Sequence, residues 1–254
     1  MVRRPAAVLS RPAPAPAAPA FAAPVAALAY FLAAPALPAL PAGDATVLVA
    51  GSIGLLLVAA CALALLPAYE MLVAPLLIAC GAGLLVAALN ADAQGVGAGA
   101  NVAEALLAGA AGLLFARWLS GPAIAVALPL FVAAIDVLSV AFGPTSRLLD
   151  EGTARVDPLS FDLPAWGDAG SAGHLGFSDA FFVCLFAAWA WRLGLRRGAT
   201  IAGLLLGLLA ALVLSVTLDR AIPALPFVAA GYLLPNAGRL WKLARRNAKN
   251  VHGT

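Results

Sequence analysis

Two aspartates, Asp136 and Asp179, lie inside long apolar stretches of the sequence. A carboxylate in the bilayer core is costly, so such residues usually face a partner or a water-filled cavity. Two carboxyl groups within a few ångströms cannot both ionise, and the pair then holds a single proton. The ionised carboxylate can activate a water while the protonated one donates a hydrogen bond to the carbonyl under attack. These residues therefore predict aspartic peptide hydrolysis, which needs no cofactor.

Composition sets the class of protein in which this chemistry would occur. The chain has 254 residues, of which 63% are hydrophobic and 11% charged, and its mean hydropathy is +0.99. Soluble domains carry about 25% charged residues, so the composition predicts a polytopic membrane protein whose surroundings are the lipid bilayer. The net charge of +3 comes from short basic clusters beside apolar segments, a pattern typical of juxtamembrane anchors rather than of nucleic-acid binding.

Metal ligands are not indicated by the cysteines and histidines. Cys61, Cys80 and Cys184 all lie within apolar runs and show no metal-ligand spacing. We interpret them as small core residues. His174 and His252 are too far apart in the sequence to suggest a shared site, so we expect no metal.

The apolar stretches predict an all-α fold of about eight transmembrane helices, with seven to nine as the range. A helix needs about 20 apolar residues to cross the hydrocarbon core. Such stretches lie near 21–42, 46–67, 71–90, 101–119, 122–142, 175–195, 198–218 and 221–241. The first contains four prolines and is either a kinked helix or the apolar region of a signal peptide. We expect close helix packing at four glycines, namely Gly81, Gly83, Gly109 and Gly112.

Four regions follow from these spans. A Pro/Ala-rich arm, which we expect to be disordered, is followed by N-terminal transmembrane helices, a catalytic core with one long loop, and a basic cytoplasmic tail. Their respective bounds are 1–20, 21–121, 122–241 with the loop at 143–174, and 242–254. Glu104 begins its predicted span, so we interpret it as favoured by the helix dipole.

The positive charges predict the orientation. With the N-terminus inside, 12 of the 15 lysines and arginines lie on the cytoplasmic side and three on the other, as the positive-inside rule requires. Both termini are then cytoplasmic, and we expect the plasma membrane of a prokaryote. The 143–174 loop faces outside, and its acidic residues form a solvated surface without the spacing of a calcium loop. These residues are Asp150, Glu151, Asp157, Asp162 and Asp168.

The region from about 101 to 235 resembles the presenilin and signal peptide peptidase family of intramembrane aspartyl proteases. In that family the first catalytic aspartate follows a tyrosine in a membrane helix. The second ends a Gly-x-Gly-Asp motif, and a Pro-Ala-Leu motif opens the last helix. This chain has Asp136, then Asp179 in Gly-Phe-Ser-Asp after 43 residues, then Pro223-Ala-Leu after a further 44. The resemblance implies a presenilin-like helical bundle.

The flanking residues extend the resemblance and also show where it departs. Gly143-Pro144 and Arg147 resemble the presenilin exit from the first catalytic helix, and Arg220-Ala-Ile-Pro223 resembles the entry into its last helix. Ile135 stands where the family has tyrosine, which removes a hydroxyl near the aspartates. Ser178 stands where the family has the second glycine, which adds a side chain where the backbone approaches the substrate. The family typically has nine spans, and we count eight.

The resemblance implies specific roles for the matching residues. Asp136 and Asp179 would be catalytic, and two short segments would bind the substrate, namely Gly176, Phe177 and Ser178 together with Pro223, Ala224 and Leu225. The substrates would be transmembrane helices or leftover signal peptides. The orientation would be that of signal peptide peptidase, so we expect a preference for helices whose N-terminus is cytoplasmic.

Other interpretations of the same residues remain open at this point. The two aspartates could serve a proton- or cation-coupled transporter or channel, although the sequence shows no internal repeat of the kind that transporters often have. Ile135 and Ser178 are also compatible with a catalytically silent, presenilin-like membrane scaffold. Asp179 near a helix start is favoured by the dipole without any catalysis, and Pro223 suits any helix start. The oligomeric state is not indicated.

Overall fold

The structure is a computed structural model that describes residues 18–40, 44–69, 73–93, 97–119, 121–142, 160–167 and 171–251. This part of the chain is mostly helical. Four helices precede the first aspartate helix: α1 (Ala18–Ala33), α2 (Ser52–Leu63), α3 (Ala74–Ala93) and α4 (Gly97–Trp118). A short turn of helix at Asp44–Thr46 and a π-helical segment at Val47–Gly51 lead into α2.

The second half carries both aspartates and a β-hairpin. Asp136 lies in α5 (Ile124–Phe142), and Asp179 lies in α6 (Phe177–Arg192). Between them, β1 (Ser160–Pro164) pairs in antiparallel fashion with β2 (Ser171–Gly176). Two helices follow α6, namely α7 (Arg197–Thr217) and α8 (Leu225–Val251).

Each predicted apolar stretch contains a helix, but three of the described helices, α4, α5 and α7, are both long and apolar enough to cross a membrane. Apolar helices of 10–17 residues cover Phe21–Ala36, Val47–Leu63 and Leu76–Ala91. The expected number of about eight spans is therefore not confirmed. Length is one reason, since α6 has 16 residues and a helix needs about 20 to cross the hydrocarbon core.

The hairpin corrects the expectation of an all-α fold. In β1, Phe161 and Leu163 are buried on either side of the exposed Asp162, the period of two that a strand with one buried face requires. Ala172 and Leu175 of β2 are also buried, but they are three residues apart. Within the expected solvated loop, Asp162 is exposed. The other four acidic residues of that loop lie outside the described residues.

Helix bounds correct three further expectations. Residues 18–20 begin α1 and do not belong to a disordered arm, whose remaining residues lie outside the described part of the chain. The basic tail is not a separate region, because α8 continues to Val251. Glu104 is buried and lies seven residues after the start of α4, beyond the first turn. The helix dipole acts within the first turn, so it does not explain this carboxyl group.

The core is built around α6, which packs against α2, α4, α7 and α8. Close backbone approach makes this possible at Gly112 of α4, where a Cβ would lie 2.8 Å from the Phe181 carbonyl oxygen. Gly109 has a similar role, because a Cβ there would overlap the carbonyl group of Ala62. The expected close packing at Gly81 and Gly83 is absent. A Cβ at Gly81 would lie 3.5 Å from one side-chain atom, an ordinary contact distance, and a Cβ at Gly83 would meet nothing within 4 Å.

Candidate active site

Asp136 lies on the inner face of a helix at the periphery of the bundle. Ala125, Pro129 and Val132 are buried, and Asp136 follows them on the same face at the three- and four-residue spacing of a helix. This face packs against α8. Ile135, which replaces the tyrosine of the family motif, is 48% exposed. The carboxyl group therefore points towards α8, while Ile135 lies on the outer side.

A hydrogen bond joins Asp136 to the segment that opens α8. The backbone N–H of Leu225 donates to Asp136 Oδ2 at 2.9 Å. Leu225 is the first residue of α8, and N–H groups in the first turn have no partner within their own helix. The Asp136 carboxylate thus satisfies a free donor at the positive end of α8, where the helix dipole also favours it. Pro223 and Ala224 precede the helix in non-helical backbone.

Asp179 lies in the first turn of α6, as predicted. Its carboxyl group accepts a hydrogen bond from the backbone N–H of Gly176, the last residue of β2. A Cβ at Gly176 would lie 3.2 Å from Asp179 Oδ2, a distance at which the carboxyl group would have to move. The glycine therefore allows the strand to end directly against the aspartate.

The two aspartates lie close enough to influence each other electrostatically. The Asp136 carboxyl group interacts with that of Asp179 across the space between α5 and α6, and both side chains are half-buried. Neither lies on the fully exposed outer surface. Because Leu225 also contacts Asp136, three sequence motifs meet at one place.

The remaining predicted substrate-binding residues surround Asp179 and the start of α8. Ser178, which replaces the second glycine of the family motif, is exposed. Phe177 stacks on Phe161 of β1, with ring centroids 6.5 Å apart. Pro223 and Ala224 are half-buried. Ser178 can therefore be reached from outside, whereas Phe177 joins the hairpin to α6.

Asn101 was not found by the sequence analysis, yet it holds the hairpin in place. Its side-chain amide donates to the Asp162 carbonyl oxygen at 2.8 Å, and its Oδ1 accepts from the Asp162 N–H at 3.2 Å. Asn101 lies in α4 and is 7% exposed. It therefore occupies the outer edge of β1 as a neighbouring strand would. A buried asparagine inside an apolar helix was the available signal.

The exposed face of the hairpin carries a close contact between a histidine and an aspartate. Asp162 and His174 are directly opposite each other on the two strands, and His174 Nδ1 lies 2.6 Å from Asp162 Oδ1. Among the described residues, no group of three or more histidines, cysteines or acidic side chains is arranged to hold a metal ion. We therefore interpret this pair as a cross-strand contact that stabilises the hairpin.

No protein-family model and no curated protein matches this chain. The functional assignment therefore rests on the site itself. Two carboxyl groups interact, each accepts a backbone N–H, and a proline-containing segment ends at one of them. Such a pair can share one proton and act on a water and a carbonyl group together.

Proposed function

We propose that this chain is an intramembrane aspartyl protease that hydrolyses peptide bonds within transmembrane helices or leftover signal peptides. The observation that carries the proposal is the hydrogen bond between Leu225 and Asp136. It joins the Pro-Ala-Leu segment to the first aspartate, and the second aspartate interacts with the first. Segments separated by 43 and 44 residues in the sequence thus form one site.

The chemistry uses these two carboxyl groups and one water. The ionised carboxylate removes a proton from the water, whose oxygen then adds to the substrate carbonyl carbon. The protonated carboxyl group transfers its proton to the carbonyl oxygen, and a tetrahedral diol forms. The C–N bond then breaks as the amine nitrogen takes a proton from the pair, and a diol hydroxyl returns one proton to it as the new carboxyl group forms. The backbone N–H groups of Leu225 and Gly176 orient the two carboxyl groups throughout.

The substrate has to be unwound, because carbonyl groups in a helix are hydrogen-bonded internally. β2 offers an edge for such an unwound segment, because the described residues form a sheet of two strands and Asn101 already occupies the edge of β1. Gly173 and His174 of β2 also line an open cavity of about 420 Å³. A segment added to β2 would continue towards Asp179, which follows the strand by three residues.

Orientation in the membrane completes the proposal. The hairpin lies at the end of the bundle where α7 ends and α8 begins, and basic side chains including Arg117 and Arg192 cluster at the opposite end. By the positive-inside rule the basic end is cytoplasmic. Since strand addition fixes chain direction, substrates with a cytoplasmic N-terminus would be preferred. A cysteine replacing Asp162 should be labelled from outside intact cells, and labelling that requires permeabilised membranes would reverse this orientation.

The test of the activity compares the two aspartates with a third. Asp136→Asn and Asp179→Asn should each reduce cleavage of a reporter membrane helix to background, because the pair can no longer share one proton between two carboxyl groups. Asp44→Asn, which changes an exposed carboxylate in the wall of the cavity beside β2, should retain measurable cleavage, because the pair keeps its shared proton. Cleavage retained in either site variant would refute the shared-proton mechanism. Loss of cation-coupled flux in both aspartate variants would favour the transporter. A native chain that cleaves no reporter would favour the catalytically silent scaffold.

A further inference from the structure

A small cleft at the basic end of the bundle lies away from the aspartates. It has a volume of about 300 Å³ and opens between the residue preceding α7 and the middle of α8. Its lining comprises three basic residues, two apolar residues and one glycine: Arg196, Arg239, Lys242, Leu234, Pro235 and Gly238. A Cβ at Gly238 would meet no atom within 4 Å, so the space beside this glycine is open.

The cleft gathers three basic side chains, and the helices that form it contain no acidic residues. Arg196 comes from one side of the cleft, and Arg239 and Lys242, three residues apart on α8, come from the other. The chain contains no Asp or Glu in residues 180–218 or 220–254, which include α7, α8 and all but the first turn of α6. The walls of the cleft therefore supply three cations, and an anion is the complementary ligand.

Buried hydrogen bonds fix the two walls against each other. Asn236 of α8, which is fully buried, accepts the backbone N–H of Arg196 at 3.0 Å and donates to Thr200 Oγ1 at 2.7 Å. Arg239 donates to the Gly194 carbonyl oxygen at 2.7 Å. The backbone of Arg196 and the guanidinium group of Arg239 are thus held by the fold. The two walls of the cleft are in place before a ligand binds, which lowers the entropy lost on binding.

The apolar surroundings indicate which anion this is. Leu234 on the wall of the cleft is 76% exposed, and Leu206 of α7 is 65% exposed. Both belong to helices whose outer surfaces we place in lipid. We propose that the cleft binds the headgroup of an anionic phospholipid, with the phosphate at Arg196, Arg239 and Lys242 and the acyl chains along α7 and α8. This proposal depends on the membrane location of the chain and not on its protease activity.

The test measures bound lipid on the reconstituted full-length chain. Native mass spectrometry would count phosphatidylglycerol retained after release from nanodiscs that mix it with phosphatidylcholine. Arg196→Gln with Lys242→Gln should lower phosphatidylglycerol occupancy about 100-fold, since each charge-assisted hydrogen bond from the cleft to the phosphate contributes roughly tenfold in affinity. Gly238→Leu should lower occupancy as well, because it fills the cleft while keeping all three cations. The Gly238→Leu variant therefore tests whether the shape of the cleft, and not its charge alone, is needed for lipid binding.

The matched control removes two charges from the same end of the molecule. Arg197→Gln with Arg245→Gln changes arginines that stack on Trp191 and Trp241 and do not line the cleft. Phosphatidylglycerol occupancy should stay within about twofold of the native chain, as for surface substitutions in general. An equal loss of phosphatidylglycerol in this control would mean that the basic end attracts anionic lipid in general and not through the cleft, and would overturn the proposal. Inorganic phosphate that competes at millimolar concentration in detergent would overturn the lipid assignment in favour of a soluble anion.

Discussion

The two helices that carry the aspartates are held in place very differently. In α6, eight consecutive residues, Val183–Ala190, are buried. In α5, three of the 19 residues are buried, and the helix packs chiefly against α8. One half of the site thus belongs to the core of the bundle, whereas the other half is placed by a single neighbouring helix and a hydrogen bond.

This difference identifies the contact between α5 and α8 as the place where the site is assembled. Asp179 is positioned by a strand end and a buried helix that the rest of the fold already requires. Asp136 depends on the Leu225 N–H and on a narrow inner face of Ala125, Pro129 and Val132. Changes at this contact should therefore alter activity more than stability, and changes within α6 should do the reverse.

The largest expected effect comes from removing the donor at Leu225. Leu225→Pro removes the N–H, and proline is tolerated at the first position of a helix. A hydrogen bond to a charged group contributes about 1.5–3 kcal/mol, so we expect cleavage about 10- to 100-fold slower than in Leu225→Ala. The alanine variant loses the same side chain but keeps the donor. Equal rates for the two variants would show that the hydrogen bond does not position Asp136.

The next prediction compares the same valine-to-alanine substitution in α6 and in α5. Val183 of α6 is fully buried, and Val137 of α5 is 45% exposed. Val183→Ala should lower the free energy of unfolding by about 2 kcal/mol, because two methyl groups leave a packed position. Val137→Ala should change it by less than about 0.5 kcal/mol. Chemical denaturation in detergent measures both, and similar losses would contradict the asymmetry.

A smaller effect is expected where β2 meets Asp179. Gly176→Ala places a methyl group 3.2 Å from Asp179 Oδ2, and displacing the carboxyl group should slow cleavage about tenfold. Gly198→Ala in α7 is the control, since a Cβ there meets nothing within 4 Å. Both substitutions favour the folded backbone over the unfolded chain to a similar degree. An unchanged rate in Gly176→Ala would show that Asp179 can tolerate movement at the strand end.

The smallest effect concerns the outer side of α5. Ile135→Tyr restores the residue of the family motif, but the native side chain is 48% exposed. Surface substitutions usually change free energies by about 0.5 kcal/mol or less, so we expect the cleavage rate to change less than about threefold. A reporter assay on both chains measures the change. A gain of tenfold or more would mean that the tyrosine hydroxyl reaches the aspartates from this position.

The sequence predicted the positions of the helices better than it predicted the site. Apolar length located a helix in every expected stretch, because this signal depends on local sequence. The hairpin was missed, since Phe161 and Leu163 alternate over too few residues to stand out in an acidic loop. An asparagine inside an apolar helix marks Asn101 as unusual, but its partner, Asp162, is 61 residues away and is not indicated by the local sequence.

Glu104 shows a different kind of error. Its position was judged against a predicted span that began near residue 101, but α4 begins at Gly97. A shift of four residues moves the side chain from the first turn into the interior of the helix. Arguments from the helix dipole are therefore sensitive to boundaries that sequence patterns leave uncertain by a few residues.

The hydrogen bond between Asp136 and Leu225 joins residues 89 positions apart, and this separation sets an order of events during synthesis. Ribosomes add about 5–20 residues per second, so α5 is complete roughly 5–20 s before its partner exists. Throughout that interval, α5 carries a carboxyl group whose backbone donor has not been made. A carboxylate in this state is costly in lipid, so the formation of α8 stabilises α5 in its place. A chain truncated before Leu225 would therefore hold α5 less firmly.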